Sequence, residues 1–495
     1  MKTTFKTLAA ITMALGLFSC SNDDVSGDPV PHEPGAGLIG NAETYATFRI
    51  SMPNDNVAVR TDPETGDGVE VGTGNENAFK SVSLYFFDAN ACLGVLEING
   101  GEFTKKSDSE VAENMVVYES KPQKIGIEGT DIPVYAVVNG SVSDVNAGTS
   151  LADFLAKTVD AGKAIDGTAA SLNHLLMTSR APGNLTISAE DNGNDQNPAT
   201  LSVSVERTAA KISYKANNNN TFTILDKSDT PVGSVTVTHY KLINLRNDAY
   251  YFRKVGDGNG TIGENNGSGI ETASNYVIDP KFKEKTPAEA EKDGFETTWF
   301  GDGKAYAGNP SAYAALPAAS SNTVLAYCME NTMPQASQLN GYSTGIVFQA
   351  TYVPQTLWVW DSAANDWKSE PYIAGTDFYR YADVLYKTKQ EILDHYGSGV
   401  EKLIDTYTGD TKSGATCYYH YWIRHMNNDN PDVMGIMEFA IVRNNAYNLD
   451  IAGVTGIGEP TDVTDPENPD ETGKMYLKVN VTILPWVVRD NSIIL

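Results

Sequence analysis

Residues 475–495 read MYLKVNVTILPWVVRDNSIIL, and the fold class turns on this stretch. Met475, Leu477, Val479, Val481 and Ile483 share one face of an extended chain, and Tyr476, Lys478, Asn480 and Thr482 share the other. An apolar period of two, rich in β-branched residues, predicts a strand with one face made for a core. Ahead of it, residues 458–473 read GEPTDVTDPENPDETG. Their Pro, Asp, Glu and Gly content, without an apolar period, predicts a solvated tether. A final strand on such a tether has two possible homes: its own sheet, or the sheet of another chain.

The same period recurs through the chain. In TYATFRISMP, residues 44–53, Ala46, Phe48, Ile50 and Met52 alternate with Tyr45, Thr47, Arg49 and Ser51. Short runs rich in Val, Tyr and Phe follow at 81–87, 115–120, 133–139 and 201–205, separated by polar turns. From Val205, VERTAAKISY opens a second series, continued at 234–245, 323–329, 345–353 and 437–451. Helices are few. Ser150 caps one whose face carries Leu151, Phe154, Leu155 and Val159. Thr388 and Glu391 form the capping box of another, stopped by Gly397. The expectation is a mostly β protein with two β-sandwich domains, residues 61–204 and 205–457, then the acidic tether 458–474 and the strand 475–495.

The N-terminus predicts export. Lys2 and Lys6 precede an apolar run too short to span a bilayer, so residues 1–19 read as a signal peptide. Leu17-Phe18-Ser19-Cys20 then resembles a bacterial lipobox, making Cys20 the lipidated first residue, and Ser21-Asn22-Asp23-Asp24 resembles an acidic surface-export tag. Residues 20–60 read as a lipidated propeptide that carries the strand 44–52. The polar, Gly-rich stretch entered at Arg60 offers a protease an exposed site, with cleavage between Arg60 and Thr61.

The net charge of −27 over 495 residues argues against nucleic acid and against anionic lipid bound by charge. Like subunits would repel, so self-assembly must rest on apolar contact. With Cys20 lipidated, Cys92, Cys328 and Cys417 form no CxxC pair and read as buried free thiols. No cofactor or metal is expected. Gly341-Tyr342-Ser343-Thr344-Gly345 matches a nucleophile elbow, but a strand follows it where a helix is required. Residues 258–263 match GxGxxG with no helix after them to receive a pyrophosphate. His420 and His425, read as one strand, point to opposite faces. No enzyme is predicted.

Three pieces carry a family resemblance: Val442-Arg443-Asn444-Asn445-Ala446-Tyr447, Leu484-Pro485-Trp486, and Val205-Glu206-Arg207 with Ala209-Ala210-Lys211. Together with Ser51-Met52-Pro53 and the lipobox, they resemble type V pilins, nearest to the major stalk subunit of the short fimbriae of oral and gut anaerobic Gram-negative bacteria. The resemblance implies transthyretin-like Greek-key sandwiches. It implies a palmitate-bearing outer-membrane lipoprotein precursor, cut by an arginine-specific surface protease after Arg60, with Arg49 as the alternative. It further implies that the strand at 44–52 leaves and that Tyr476–Leu495 of another copy enters its place. The donor residues would be Tyr476, Leu477, Val479, Val481, Ile483, Leu484, Pro485 and Trp486. The implied partners are copies of itself, accessory pilins and surface ligands, in fimbriae that serve adhesion and biofilm formation. The other readings are a tip or accessory pilin, and a monomeric glycan-binding surface lipoprotein.

Overall fold

The computed structural model describes residues 42–53, 72–106, 115–256, 276–287, 313–410, 413–425, 430, 432–471 and 477–485. The signal peptide, Cys20, Arg60, Thr61, the GxGxxG stretch, Tyr476 and Trp486 lie outside them. The described chain is mostly β, as the alternation predicts. Strands Ser81–Phe87, Met115–Ser120 and Thr323–Met329 have the predicted limits.

Ten of the thirteen described strands up to Arg207 form one arrangement, and Thr158–Asp160, Ile165–Asp166 and His174–Leu175 pair outside it. Its path runs Cys92–Asn99, Ser81–Phe87, Gly129–Val138, Met177–Ser179, Ala199–Arg207, Tyr45–Pro53, Met115–Ser120, Phe103–Lys105. Ala199–Arg207 changes partner along its length. Residues 199–204 pair parallel with Tyr45–Pro53, and residues 205–207 pair antiparallel with Met177–Ser179. The two arms close over a shared core in which the rings of Phe48 and Phe86 meet edge to face at 6.1 Å.

From Ala209 onward the chain builds other sheets. A four-stranded sheet runs Thr323–Met329, Ala209–Tyr214, Asn445–Val454, Leu477–Pro485. A second sheet is led by Pro231–Ile243, Gly345–Pro354 and Ala415–Trp422, and the largest core cluster joins it to the first. Another cluster draws on residues before and after this junction, with Tyr135 and Phe154 packed on Phe252.

Several local expectations change. Met437–Arg443 is not strand, and Met437 has φ +60°, so the strand begins only at Asn445. The first helix stops at Leu155, and Val159 belongs to the strand Thr158–Asp160. Thr388 does cap the helix Lys389–Tyr396, accepting from the Glu391 amide at 3.2 Å. Glu391 reaches back to the cap with Oε2, accepting from the Thr388 hydroxyl at 2.7 Å, while its Oε1 accepts the Trp360 backbone N–H at 3.3 Å. Unforeseen is a small sheet of Thr356–Asp361, Asp366–Pro371, Phe378–Tyr381, Val384–Tyr386 and Asp405–Tyr407.

Candidate functional site

The first strand, Tyr45–Pro53, lies inside its sheet and is gripped on both sides. One side is the parallel register Ala46–Ala199 to Ser51–Ser204, the other the antiparallel register Arg49–Glu119 to Pro53–Met115. Its alternation decides which face enters the apolar core. Ala46, Phe48, Ile50 and Met52 are all buried in the core. At about 1.5–3 kcal/mol each, Phe48, Ile50 and Met52 contribute roughly 5–9 kcal/mol of burial. Arg49 faces outward and pairs with Glu119, while its backbone is held by the strands on either side. That paired backbone makes Arg49 a poor protease site.

The last strand, Leu477–Pro485, occupies an edge. Among the described residues it pairs only with Asn445–Val454, antiparallel from Asn445–Pro485 to Val454–Leu477, with a bulge between Ile451 and Gly453. Val479 and Val481 are half-buried against the C-terminal core, whereas Lys478 and Asn480 are exposed. The alternation therefore sets the same faces that it predicts from sequence. Both terminal strands are 9 residues long.

The segment expected to be a solvated tether is docked over residues 458–471. Glu459 and Tyr418 exchange two backbone hydrogen bonds, of 2.8 and 2.7 Å. The backbone amides of Asn340 and Gly341 donate to the carbonyls of Asn468 and Pro466 at 2.9 and 3.0 Å. Arg380 binds Glu459 and Arg424 binds Glu471, at 2.6 and 2.8 Å. Asp470 is buried and accepts from the Ser343 hydroxyl. Composition misses this because the acids here are spent on ion pairs and backbone caps rather than on water.

Ser343 is thereby placed as an anchor for that strap. It is wholly buried, and its hydroxyl meets Asp470 and the Met333 sulfur. The strand Gly345–Pro354 follows it, where a nucleophile elbow requires a helix. His420 and His425 do not converge. His420 Nε2 meets the Asp462 carbonyl at 3.1 Å, and His425, beyond the strand's end, meets the Tyr447 hydroxyl at 2.8 Å. Among the described residues no group of His, Cys, Asp and Glu is placed to hold a metal, and no helix is long and apolar enough to cross a membrane. Cys92, Cys328 and Cys417 are free and buried. Burial pushes the Cys328 and Cys417 thiols up to about 12 and about 11.

Two of the pieces behind the family resemblance, residues 205–211 and 442–447, meet at the junction between the two sets of sheets. Glu206 receives two hydrogen bonds from Arg253, at 3.0 and 2.7 Å. Arg207 donates to the Glu76 carbonyl at 3.2 Å and to the Asn77 side chain. Lys211 and Tyr327 hold the carboxylate of the buried Glu76, at 3.2 and 2.6 Å. Asn444, at φ +60°, donates its amide to the Ala209 carbonyl, and its side chain accepts from the Arg207 amide at 3.3 Å. Its left-handed backbone suits Asn better than most side chains. Sequence reasoning did not foresee that Glu76 closes this network.

Residues 411–492 match the family described as "Major fimbrial subunit protein type IV, Fimbrillin, C-terminal". No curated protein matches the chain. Among solved structures, a fimbrilin from Porphyromonas gingivalis W83 is 16% identical with a TM-score of 0.41, covering 90% of this chain and 99% of its own. The tip fimbrial protein Mfa3 of Porphyromonas gingivalis, in a C-terminally truncated form, is 11% identical with a TM-score of 0.33, covering 89% of this chain and 100% of its own. A fimbrial assembly protein from Parabacteroides distasonis is 12% identical with a TM-score of 0.26, covering 66% of this chain and 99% of its own. The family match covers both motifs, residues 442–447 and 484–486, that resemble type V pilins, and residues 411–492 are similar to the C-terminal region of that fimbrial family.

Proposed function

We propose that this chain is a structural subunit of a surface fimbria that polymerises by donor-strand exchange. The precursor is exported as an outer-membrane lipoprotein held by lipid on Cys20. An arginine-specific protease cuts after Arg60, the strand 45–53 departs, and residues 476–495 of another copy enter the slot. The finished fibre serves adhesion, and nothing in this role needs catalysis.

The position of the first strand carries this reading. It is an interior strand, so its departure would open two rows of backbone donors and acceptors together with a dry apolar slot. The last strand is the same length, has the same alternation, and among the described residues pairs on one side only. Moving into the slot would give it a second partner strand and fuller burial. That gain would offset the loss of its home contacts. While the first strand is covalently attached, its effective concentration is on the order of millimolar, so it excludes a donor in trans. Proteolysis removes that advantage.

A second reading is a monomeric surface lipoprotein that binds glycans, and the home pairing of the last strand favours it. Size-exclusion chromatography and negative-stain imaging before and after arginine-specific digestion separate the two. Fibres that appear only after digestion support the pilin, and a digested chain that stays monomeric supports the alternative.

A further inference from the structure

The fimbrial reading leaves one buried reactive cluster unused. Lys285 has a side chain only 1% exposed, in a segment that carries Val277, Ile278 and Phe282 into a small apolar core. Its Nζ donates to Asp279 Oδ2 at 2.6 Å, to Asn331 Oδ1 at 2.7 Å and to the Thr332 carbonyl at 2.7 Å. Asp279 and Asn331 are themselves buried. Asp279 also accepts from the Thr332 amide at 2.7 Å. The Asn331 carboxamide is fixed from behind, its Nδ2 donating to the carbonyls of Asn244 and Tyr342 at 3.2 and 2.7 Å and to Thr344 Oγ1 at 2.9 Å.

A buried ion pair would need only Lys285 and Asp279. Here a third group, an amide carbonyl, is aimed at the amine. With a C=O bond of about 1.2 Å, the Asn331 carbonyl carbon lies roughly 3–4 Å from Nζ. That is close to the separation at which a held amine becomes a nucleophile. Burial brings the Lys285 ammonium down to about 8, against the pull of Asp279, so the neutral amine is reached near neutral pH.

We propose that Lys285 and Asn331 are joined by an intramolecular isopeptide bond, formed by the folded chain itself with Asp279 as proton carrier. Asp279 takes a proton from the ammonium. The freed Nζ lone pair attacks the Asn331 carbonyl carbon, and the carbonyl π pair moves to oxygen. When that pair returns, the Cγ–Nδ2 bond breaks. Asp279 gives its proton to the departing nitrogen and takes the second proton from Nζ, so ammonia leaves and an amide remains. No oxidant or further reactant is needed. The ring so closed runs from Lys285 to Asn331. It ends beside Glu330, which pairs with Arg443, so it would fix the 276–287 segment to the junction by a covalent bond. The linkage does not depend on the fimbrial reading.

The test is peptide mapping by tandem mass spectrometry on the full exported chain, purified in its folded state and then denatured. The expected result is a branched peptide joining Lys285 to Asn331, lighter than its two linear parts by about 17 Da, the mass of ammonia. Linear peptides with intact Lys285 and Asn331 would overturn the proposal. A loss of about 18 Da with Lys285 joined to Asp279 would overturn it as well, because water rather than ammonia would have left. Asp279→Asn should slow linkage on the order of a hundredfold or more. Linkage at the unaltered rate would remove Asp279 from the step. Should that variant fail to fold, the map of the unaltered chain still decides the bond.

Discussion

Arg443 and Glu330 are joined by two hydrogen bonds, Nε to Oε2 at 2.7 Å and Nη2 to Oε1 at 2.6 Å, and neither side chain is exposed. Two further donors of Arg443 reach the carbonyls of Tyr251 and Tyr250 at 3.0 and 2.6 Å. A terminal-region motif is thus bound to three earlier positions in the chain. Breaking such a pair strands a buried charge, so Glu330→Ala should cost about 3–5 kcal/mol. Lys389→Ala, which removes the exposed pair with Glu401, should cost no more than about 1 kcal/mol. Equilibrium denaturation of the two variants checks this, and equal losses would contradict the ranking.

Asp470 gives the strap a pH dependence. Desolvation holds its carboxyl well above the usual range, with Glu471 adding to the rise and Ser343 and Arg424 opposing it. Among the described residues its Oδ1 has no partner, which suits a neutral acid. The group's contribution is complete below the unfolded value of about 3.9. It falls as pH rises from there through the folded value, because the unfolded chain gives up its proton first. Hydrogen exchange in residues 458–471, corrected for intrinsic rate, should therefore show less protection at pH 8 than at pH 5. Asp470→Asn should flatten the difference.

Cys92, Cys328 and Cys417 should be silent to a thiol reagent in the folded chain at pH 8, because the thiolate is the reactive form and burial disfavours it. A chain with Cys20 replaced by Ser should release the full absorbance of these thiols only on unfolding. Rapid labelling under native conditions would show that their packing opens.

Within the last strand, Val481→Asp should impair assembly more than Thr482→Asp. Val481 packs against a core, where an unpaired carboxylate is costly, and Thr482 belongs to the opposite face of the alternation. The polymerisation rate of protease-treated subunits measures it, and equal tolerance would mean that the slot does not read the alternation.

The strands were legible wherever one face is dry. In Tyr45–Pro53 the period of two marks Ala46, Phe48, Ile50 and Met52 as the core face, although Thr47 and Ser51 opposite are also buried, so orientation could be read, and limits to within one residue. The strand Ala199–Arg207 was harder to bound, because it changes partner partway. The sheet around Trp358 and Trp367 was missed because both its faces are partly wet, which leaves little alternation to read. The strap was misjudged for a different reason. Its acids find arginines and backbone amides far away in sequence, and composition carries no record of such partners. The junction network is similar: Glu76 lies 135 positions from Lys211 and 251 from Tyr327.

The central claim is that the first strand must leave before the last strand of another copy can enter. It is tested most directly by treating the purified, exported chain with an arginine-specific protease and following the fragments and the particle size together. The account predicts a new N-terminus at Thr61, loss of the fragment bearing residues 45–53, and fibres that grow only as that fragment departs. Fibres whose subunits still retain residues 45–53, or a chain that has lost them and remains monomeric, would contradict it.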